Sequence, residues 1–117
     1  MLKQTGLAHT TTFATFSIER LPEVSDAQFE QTMLTEVLPA TDHPLNRVTN
    51  VVGQEFRKVV GDDAGAYQWA IIWNGVHDNE RVAEGSMAIY DKVKDDIERV
   101  GMRTGLSLAV LEARWES

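Results

Sequence analysis

Two of the three tryptophans and one of the two tyrosines fall in a single apolar segment, residues 66–74. Tyr67, Trp69 and Trp73 occupy odd positions, and in an extended strand residues two apart share a face. The spacing therefore predicts one aromatic row on one side of a β-sheet. Such a row either fills a hydrophobic core or lines a pocket for a flat organic ligand, because small-molecule pockets are aromatic walls with few polar groups. The spacing allows both interpretations.

The pocket interpretation extends to other strands. Phe13 on the first predicted strand could join the wall, and Glu55 and Arg57 on the second lie two residues apart and share a face. Either of these charges could hold a polar group of a substrate, although charges also protect an exposed edge strand from aggregation. The candidate substrate-binding residues are Phe13, Glu55, Arg57, Tyr67, Trp69 and Trp73.

Two histidines are the candidate catalytic residues, because the unperturbed pKa of histidine lies near neutrality and suits a general base. His9 begins the first predicted strand, and His77 follows the aromatic strand. Asp78 comes directly after His77, but adjacent strand residues point to opposite faces, which weighs against an acid–base pair. For each histidine, a solvated position at a strand end is the simpler alternative. The acidic residues and histidines lack the spacing of metal ligands, so no metal site is expected.

Composition limits the classes of function. The chain has 117 residues, no cysteine, a net charge of −7 and a pI of about 4.8. Its basic residues are scattered, so we expect neither nucleic-acid binding nor docking on anionic membranes. No apolar run approaches the roughly 18 residues of a membrane span, and no signal peptide is recognisable, so a cytoplasmic location is expected. The length predicts one domain over residues 1–117.

Four segments have the composition of strands, being rich in β-branched and aromatic residues: 9–21, 48–60, 66–76 and 106–115. Helical patterns separate the first two and the last two. This order predicts an α+β fold, a ferredoxin-like βαββαβ sandwich. We expect a four-stranded antiparallel sheet in the order 4-1-3-2, with right-handed crossovers and both helices on one face. The second strand is expected to bend at Gly53.

The first helix has a recognisable start and stop. Ser25 and Gln28 have the spacing of a capping box, in which each side chain pairs with the other's backbone N–H. Pro39 should end this helix, because proline has no N–H to donate.

The second helix has a stripe of apolar residues that ends at Val100. Asp78 or Asn79 could cap its start, and Ser86 could cap its main body. Gly101 is placed to be the left-handed residue that follows a helix.

The second face of the predicted sheet should alternate between apolar and polar residues if it faces water. Instead, Ala70 and Ile72 lie opposite the aromatic row, and the fourth strand is apolar on both faces. Apolar surface of this extent is usually covered. A second copy of the same sheet is the economical cover, so a two-fold homodimer is expected.

With this element order, and with Ile72, Trp73 and Asn74 ending the third strand before a helix, the chain resembles the dimeric α/β-barrel superfamily. Within it, the antibiotic-biosynthesis-monooxygenase-like and stress-responsive members are the nearest in pattern. The resemblance covers about residues 9–115. It implies ferredoxin-like subunits whose sheets face each other and close into a barrel.

The resemblance also implies a function, although this sequence lacks some residues that members of the superfamily use. Members include monooxygenases and cyclases that act on aromatic or polyketide-like molecules. Cofactor-independent or haem-degrading members use an asparagine on the first strand, a tryptophan and, in the haem type, a histidine on the second helix. Here the first strand carries threonine and serine in place of asparagine, and the second helix has no histidine and no tryptophan. No haem ligand is carried over, and no cofactor is expected.

Two functions are therefore expected. The first is a small-molecule-binding dimeric barrel, either a cofactor-independent monooxygenase-like or a cyclase-like enzyme with an aromatic ligand. The alternative is a non-catalytic dimer whose barrel is filled by side chains.

Overall fold

The computed structural model describes residues 10–41, 50–61 and 65–114. The strands are β1 (Thr10–Arg20), β2 (Val51–Lys58), β3 (Ala66–Asn74) and β4 (Gly101–Glu112). Helix α1 (Asp26–Thr32) follows β1 and continues as a π-helical turn (Met33–Val37), and helix α2 (Asn79–Glu98) links β3 to β4. The predicted order of elements is confirmed.

The strands form one antiparallel sheet in the predicted order, β2-β3-β1-β4. The pairing of β2 with β3 shifts register between Val51 and Gly53, where a bend was expected. Strand β4 begins at Gly101, which is not left-handed as predicted. A Cβ at Gly101 would lie 2.6 Å from a ring carbon of Phe29 and 2.9 Å from the Glu19 carbonyl oxygen. Close packing against β1 and α1 therefore explains this glycine.

Helix α1 begins with the predicted capping box. The Gln28 backbone N–H donates to Ser25 Oγ at 3.1 Å, and the Ser25 N–H donates to Gln28 Oε1 at 3.0 Å. The prediction that Pro39 ends the helix is wrong, because residues 38–41 remain helical. The π-helical turn explains this: the Leu38 N–H donates to the carbonyl of Met33, five residues back. The wider turn gives a path around the proline ring that an unbroken α-helix lacks.

Helix α2 is capped by Asp78, whose carboxylate accepts the N–H groups of Glu80 and Arg81 at 2.8 and 3.4 Å. Ser86 was a candidate cap but lies within the helix, where it is fully buried. Its hydroxyl oxygen accepts the indole N–H of Trp73 at 3.3 Å. The residue thus serves core packing and does not begin a helix.

The core fills the space between the sheet and the two helices. Tyr67, Trp69, Ile71 and Trp73 on β3 all point into it and are at most 2% exposed. The Tyr67 ring lies 4.5 Å from that of Phe29 on α1. At the other end of the row, a Cβ on Gly85 of α2 would lie 2.9 Å from the Trp73 ring. Both helices therefore pack on the same face of the sheet.

A hydrogen-bonded cluster closes one end of this core. Asp26, at the start of α1, accepts from Arg20 Nε at 2.7 Å and from Lys58 Nζ at 3.0 Å. The Tyr67 hydroxyl lies 2.9 Å from Asp26 Oδ1 and 2.8 Å from Glu30 Oε2. Burial, together with these two carboxylates, raises the pKa of Tyr67, so its hydroxyl keeps its proton. The cluster connects α1 to three strands.

The same hydrogen bonds, that of Lys58 first and then those of Arg20 and Tyr67, lower the pKa of Asp26 from 3.8 to about 2. A carboxylate with a depressed pKa stabilises the native state above its unfolded-state pKa, and the contribution is lost as the pH falls through the folded-state value. The free energy of unfolding should therefore decrease between about pH 4 and pH 2.

Urea unfolding over this pH range tests the effect. Asp26→Asn should be less stable than the wild type near neutrality and should lose less stability on acidification. Asp95→Asn is the control, because Asp95 is exposed on α2 and forms no ion pair with the described residues. Equal acid sensitivity of the wild type and Asp26→Asn would contradict the assignment.

Candidate functional site

The sheet face away from the helices, here called the open face, has its own set of side chains. Residues of β1 alternate, so that Thr12 and Ala14 are buried under the helices and Phe13 points to the open face. In the sheet register, Phe13 lies between Ile72 of β3 and Ala109 of β4. The next row on the open face consists of Ser107, Thr15, Ala70 and Glu55.

A cavity of about 380 Å³ lies on this face. One half of its wall is apolar and comes from Phe13, Ala70, Ala109 and Leu111. The other half is polar and comes from Thr15, Glu55, Arg57 and Gln68. The volume lies within the range of roughly 300–1,000 Å³ that ligand pockets occupy. The cavity can therefore accept a small molecule with an apolar body and one polar end.

The polar end contains an ion pair. Arg57 and Glu55, two residues apart on the edge strand β2, are paired through Arg57 Nη2 and Glu55 Oε2. The side chain of Arg57 is 71% exposed and that of Glu55 is 34% exposed. The two charges neutralise each other, so a ligand anion would have to compete with Glu55 for the guanidinium.

The aromatic row does not belong to this cavity. Tyr67, Trp69 and Trp73 lie on the opposite side of β3, in the core under the helices. The interpretation of the row as a pocket wall is corrected accordingly, and core packing accounts for it. Trp69 Nε1 donates to Gln54 Oε1 at 2.9 Å, and Trp73 Nε1 donates to Ser86, so both indole N–H groups have protein partners.

His77 lies on the loop before α2 and not on the cavity wall. Its Nε2–H donates to the Asn74 carbonyl oxygen at 2.7 Å, and its ring meets the Trp73 ring edge-on at 5.7 Å. The Asp78 carboxylate caps α2, so no His77–Asp78 pair forms. His9 lies outside the described residues.

The cavity brings together three of the predicted binding residues, Phe13, Glu55 and Arg57. Five further residues on its wall were missed by the sequence argument: Thr15, Gln68, Ala70, Ala109 and Leu111. The alternation of residues along each strand could have identified them, because each shares the open face with Phe13 once the strand register is known. Small and uncharged side chains of this kind do not by themselves indicate a binding site in a sequence.

Within residues 10–41, 50–61 and 65–114, no three histidine or acidic side chains come close enough together to hold a metal ion. In those ranges no helix combines the length and the apolarity that crossing a bilayer requires.

Solved structures provide the comparison for this arrangement, since the chain matches no protein-family model and no curated protein. A protein from Bordetella bronchiseptica assigned as an antibiotic biosynthesis monooxygenase superimposes with a TM-score of 0.57 at 14% identity, over 88% of this chain and 96% of its own. SnoaB, a cofactor-independent oxygenase from Streptomyces nogalater, superimposes with a TM-score of 0.50 at 13% identity, over 92% of this chain and 95% of its own.

The chain shares their fold. The expected ferredoxin-like architecture of antibiotic-biosynthesis-monooxygenase-like proteins is confirmed, and it covers almost the whole of both structures. At this level of sequence identity the likeness concerns the backbone, so the chemistry of the open-face cavity has to be argued from its own side chains.

Two neighbouring isoleucines on β3 test which face of the sheet packs against the helices and which is the open face. Ile71 is fully buried under the helices, whereas Ile72 is partly exposed on the open face. Ile71→Asp should lower the free energy of unfolding by about 4 kcal/mol or more, because it places an unpaired charge in the core. Ile72→Asp should leave the far-ultraviolet circular dichroism spectrum unchanged and should lower the free energy of unfolding clearly less, because a charge on the open face does not enter the core. Urea unfolding of the two variants measures the difference, and equal losses would contradict the face assignment.

Proposed function

We propose that this protein is a homodimer that binds a small aromatic molecule on its open face, between two copies of the sheet. The observation that supports this most directly is the open-face cavity, with its apolar half near β4 and its polar half on β2. The fold shared with antibiotic-biosynthesis-monooxygenase-like proteins is consistent with such a site. Neither the ligand nor the second copy is needed to form the cavity floor.

The second copy is proposed because the centre of the open face is apolar. Phe13, Ile72, Ala70 and Ala109 adjoin one another in the sheet register, and Leu111 beside them is 55% exposed. A sheet with water on one side normally alternates with polar residues there. Two copies related by a two-fold axis would cover this surface with the same residues from each subunit.

Sedimentation velocity tests the dimer. We expect a mass near twice that of the 13.1 kDa chain, and Phe13→Asp should shift the protein to the monomer by placing a charge in the interface. Val60→Asp is the matched control, because Val60 is 93% exposed and lies in the turn after β2, away from the open face. A wild-type mass near that of one chain would refute the dimer.

The cavity wall also suggests the chemistry. Glu55 is the carboxylate on the described wall, and a carboxylate at the polar end can remove a proton from an acidic C–H or phenolic O–H group of the ligand. Arg57 beside it would stabilise the resulting oxyanion. Such a carbanion or phenolate is the form of substrate that can pass an electron to dioxygen without a cofactor, which would make the protein an oxygenase like SnoaB in type of reaction.

The expected ligand is a planar aromatic compound with one polar end. In fluorescence titrations, 1-hydroxy-2-naphthoate and 1-naphthol should both bind, with the carboxylate giving the tighter complex because it can pair with Arg57. Arg57→Gln should weaken binding of the carboxylate by roughly tenfold, as expected for the loss of a charge-assisted hydrogen bond, and should leave 1-naphthol unaffected.

Phe13→Ala should weaken both ligands, since it removes apolar wall from the cavity. Arg114→Gln is the control for charge, because Arg114 is exposed beyond the end of β4 and does not line the cavity. Failure of both compounds to bind the wild-type dimer would refute the binding function.

A non-catalytic dimer is the second candidate. The pairing of Arg57 with Glu55 supports it, because the two charges satisfy each other without a ligand. Among the described residues, the cavity wall also contains no histidine. A stable dimer that binds neither naphthol compound would favour this function over the first.

A further inference from the structure

A second concave site lies on the other side of the sheet, in a groove between helix α2 and the first residues of β4. Its volume is about 430 Å³. Leu21, Met87 and Tyr90 form an apolar floor, and Tyr90 is only 2% exposed. The groove and the open-face cavity share none of the lining residues that the structure describes.

A β-bulge directs a cation into this groove. The pairing of β1 with β4 shifts register between Ser17 and Ile18, and Arg103 pairs with Ile18, whose side chain faces the helices. In an unbroken strand, Arg103 would share the open face with Gly105 and Ser107. The bulge instead places its guanidinium 5.1 Å from the centre of the Tyr90 ring. Bulges of this kind often serve to redirect a functional side chain.

The rim of the groove contains charges of both signs. Asp91, Lys94 and Glu98 follow one another along the α2 face that lines the groove, and Arg103 lies across from them. None of these four side chains forms an ion pair with another described residue. Burial raises the pKa of Tyr90, and Arg103 opposes this shift while Glu98 and Asp91 add to it, so three of these four charges act on one ring.

We propose that this groove binds a small zwitterion with an apolar body, of the class of aromatic or large aliphatic α-amino acids. Arg103 and Lys94 pair with the carboxylate, Glu98 and Asp91 pair with the ammonium group, and Met87 and Leu21 contact the side chain. Two cations and two carboxylates sum to zero, so the complementary ligand is neutral overall and has both charges.

Ligands with a single charge fit this groove less well. A lone carboxylate would be attracted by Arg103 and Lys94 but repelled by Asp91 and Glu98, and a lone amine would meet the reverse arrangement. The apolar floor favours a hydrophobic body, because Leu21 and Met87 gain stabilising contacts only from an apolar part of the ligand. The groove volume is also within the range of ligand pockets.

Methionine methyl NMR provides a local measurement. The probes are L-phenylalanine, 3-phenylpropionate and 2-phenylethylammonium, which share the ring and differ in charge. With L-phenylalanine, the methyl signal of Met87 should shift and saturate, while that of Met33, fully buried in the core, should not move. Absence of a saturable shift, or equal binding of a singly charged probe, would overturn the proposal.

Substitutions test which side chains of the groove bind the carboxylate of the ligand. Arg103→Gln and Lys94→Ala should each weaken binding of L-phenylalanine by roughly tenfold, the loss expected for a hydrogen bond to a charged group. Lys92→Ala removes the same charge from an exposed position of α2 that does not line the groove, and should have no effect. Unchanged binding in both groove variants would also refute the assignment. Among the described residues, no methionine lines the open-face cavity, so these results are independent of the ligand proposed there.

Discussion

The contact between the Trp73 indole and helix α2 determines how the helix lies on the sheet. A side chain at Gly85 would collide with the ring, at 2.9 Å from its nearest carbon, so the helix can approach this closely only at a glycine. Ser86, the next residue, accepts the indole N–H and thereby satisfies a polar group that is sealed from water. Because α2 is fixed at this point, the groove between α2 and the first residues of β4 is fixed as well.

The distribution of large and small side chains on β3 explains why the open face is concave. All the bulky aromatic residues of this strand point to the helices, and the open face receives Gln68, Ala70 and Ile72 instead. In the register, Ala70 lies beside Thr15, and Ala109 lies beside Phe13. Small residues at the centre of a sheet face, surrounded by larger ones, produce a depression without any loop to form it. The site is therefore a property of the rigid sheet, which favours precise positioning of Glu55 and Arg57 over adaptability.

Much of the fold follows from local patterns in the sequence. The alternation of β-branched and aromatic residues identified four strands, and the capping residues Ser25 and Asp78 marked both helix starts. The alternation could not tell which face of β3 meets the helices, because Ala70 and Ile72 are apolar too. The prediction that Pro39 ends the first helix failed because a π-helical turn before it accommodates the proline. The sheet face on which Arg103 lies could not be predicted from the sequence, because one bulged residue moves every earlier residue of the strand to the opposite face.

The strand order has a consequence for how the chain acquires its structure. Thr10 pairs with Glu112 and Arg20 pairs with Gly101, and both helices lie between these strands in the chain, so the central strand β1 is synthesised well before its neighbour β4. Contacts between such distant segments require closing long loops, which makes folding slow relative to chains with local pairing. Until β4 leaves the ribosome, one edge of β1 has no partner, and unpaired strand edges are where nascent chains associate with one another. A strand made later, β4, thus protects the edge of a strand made earlier, β1.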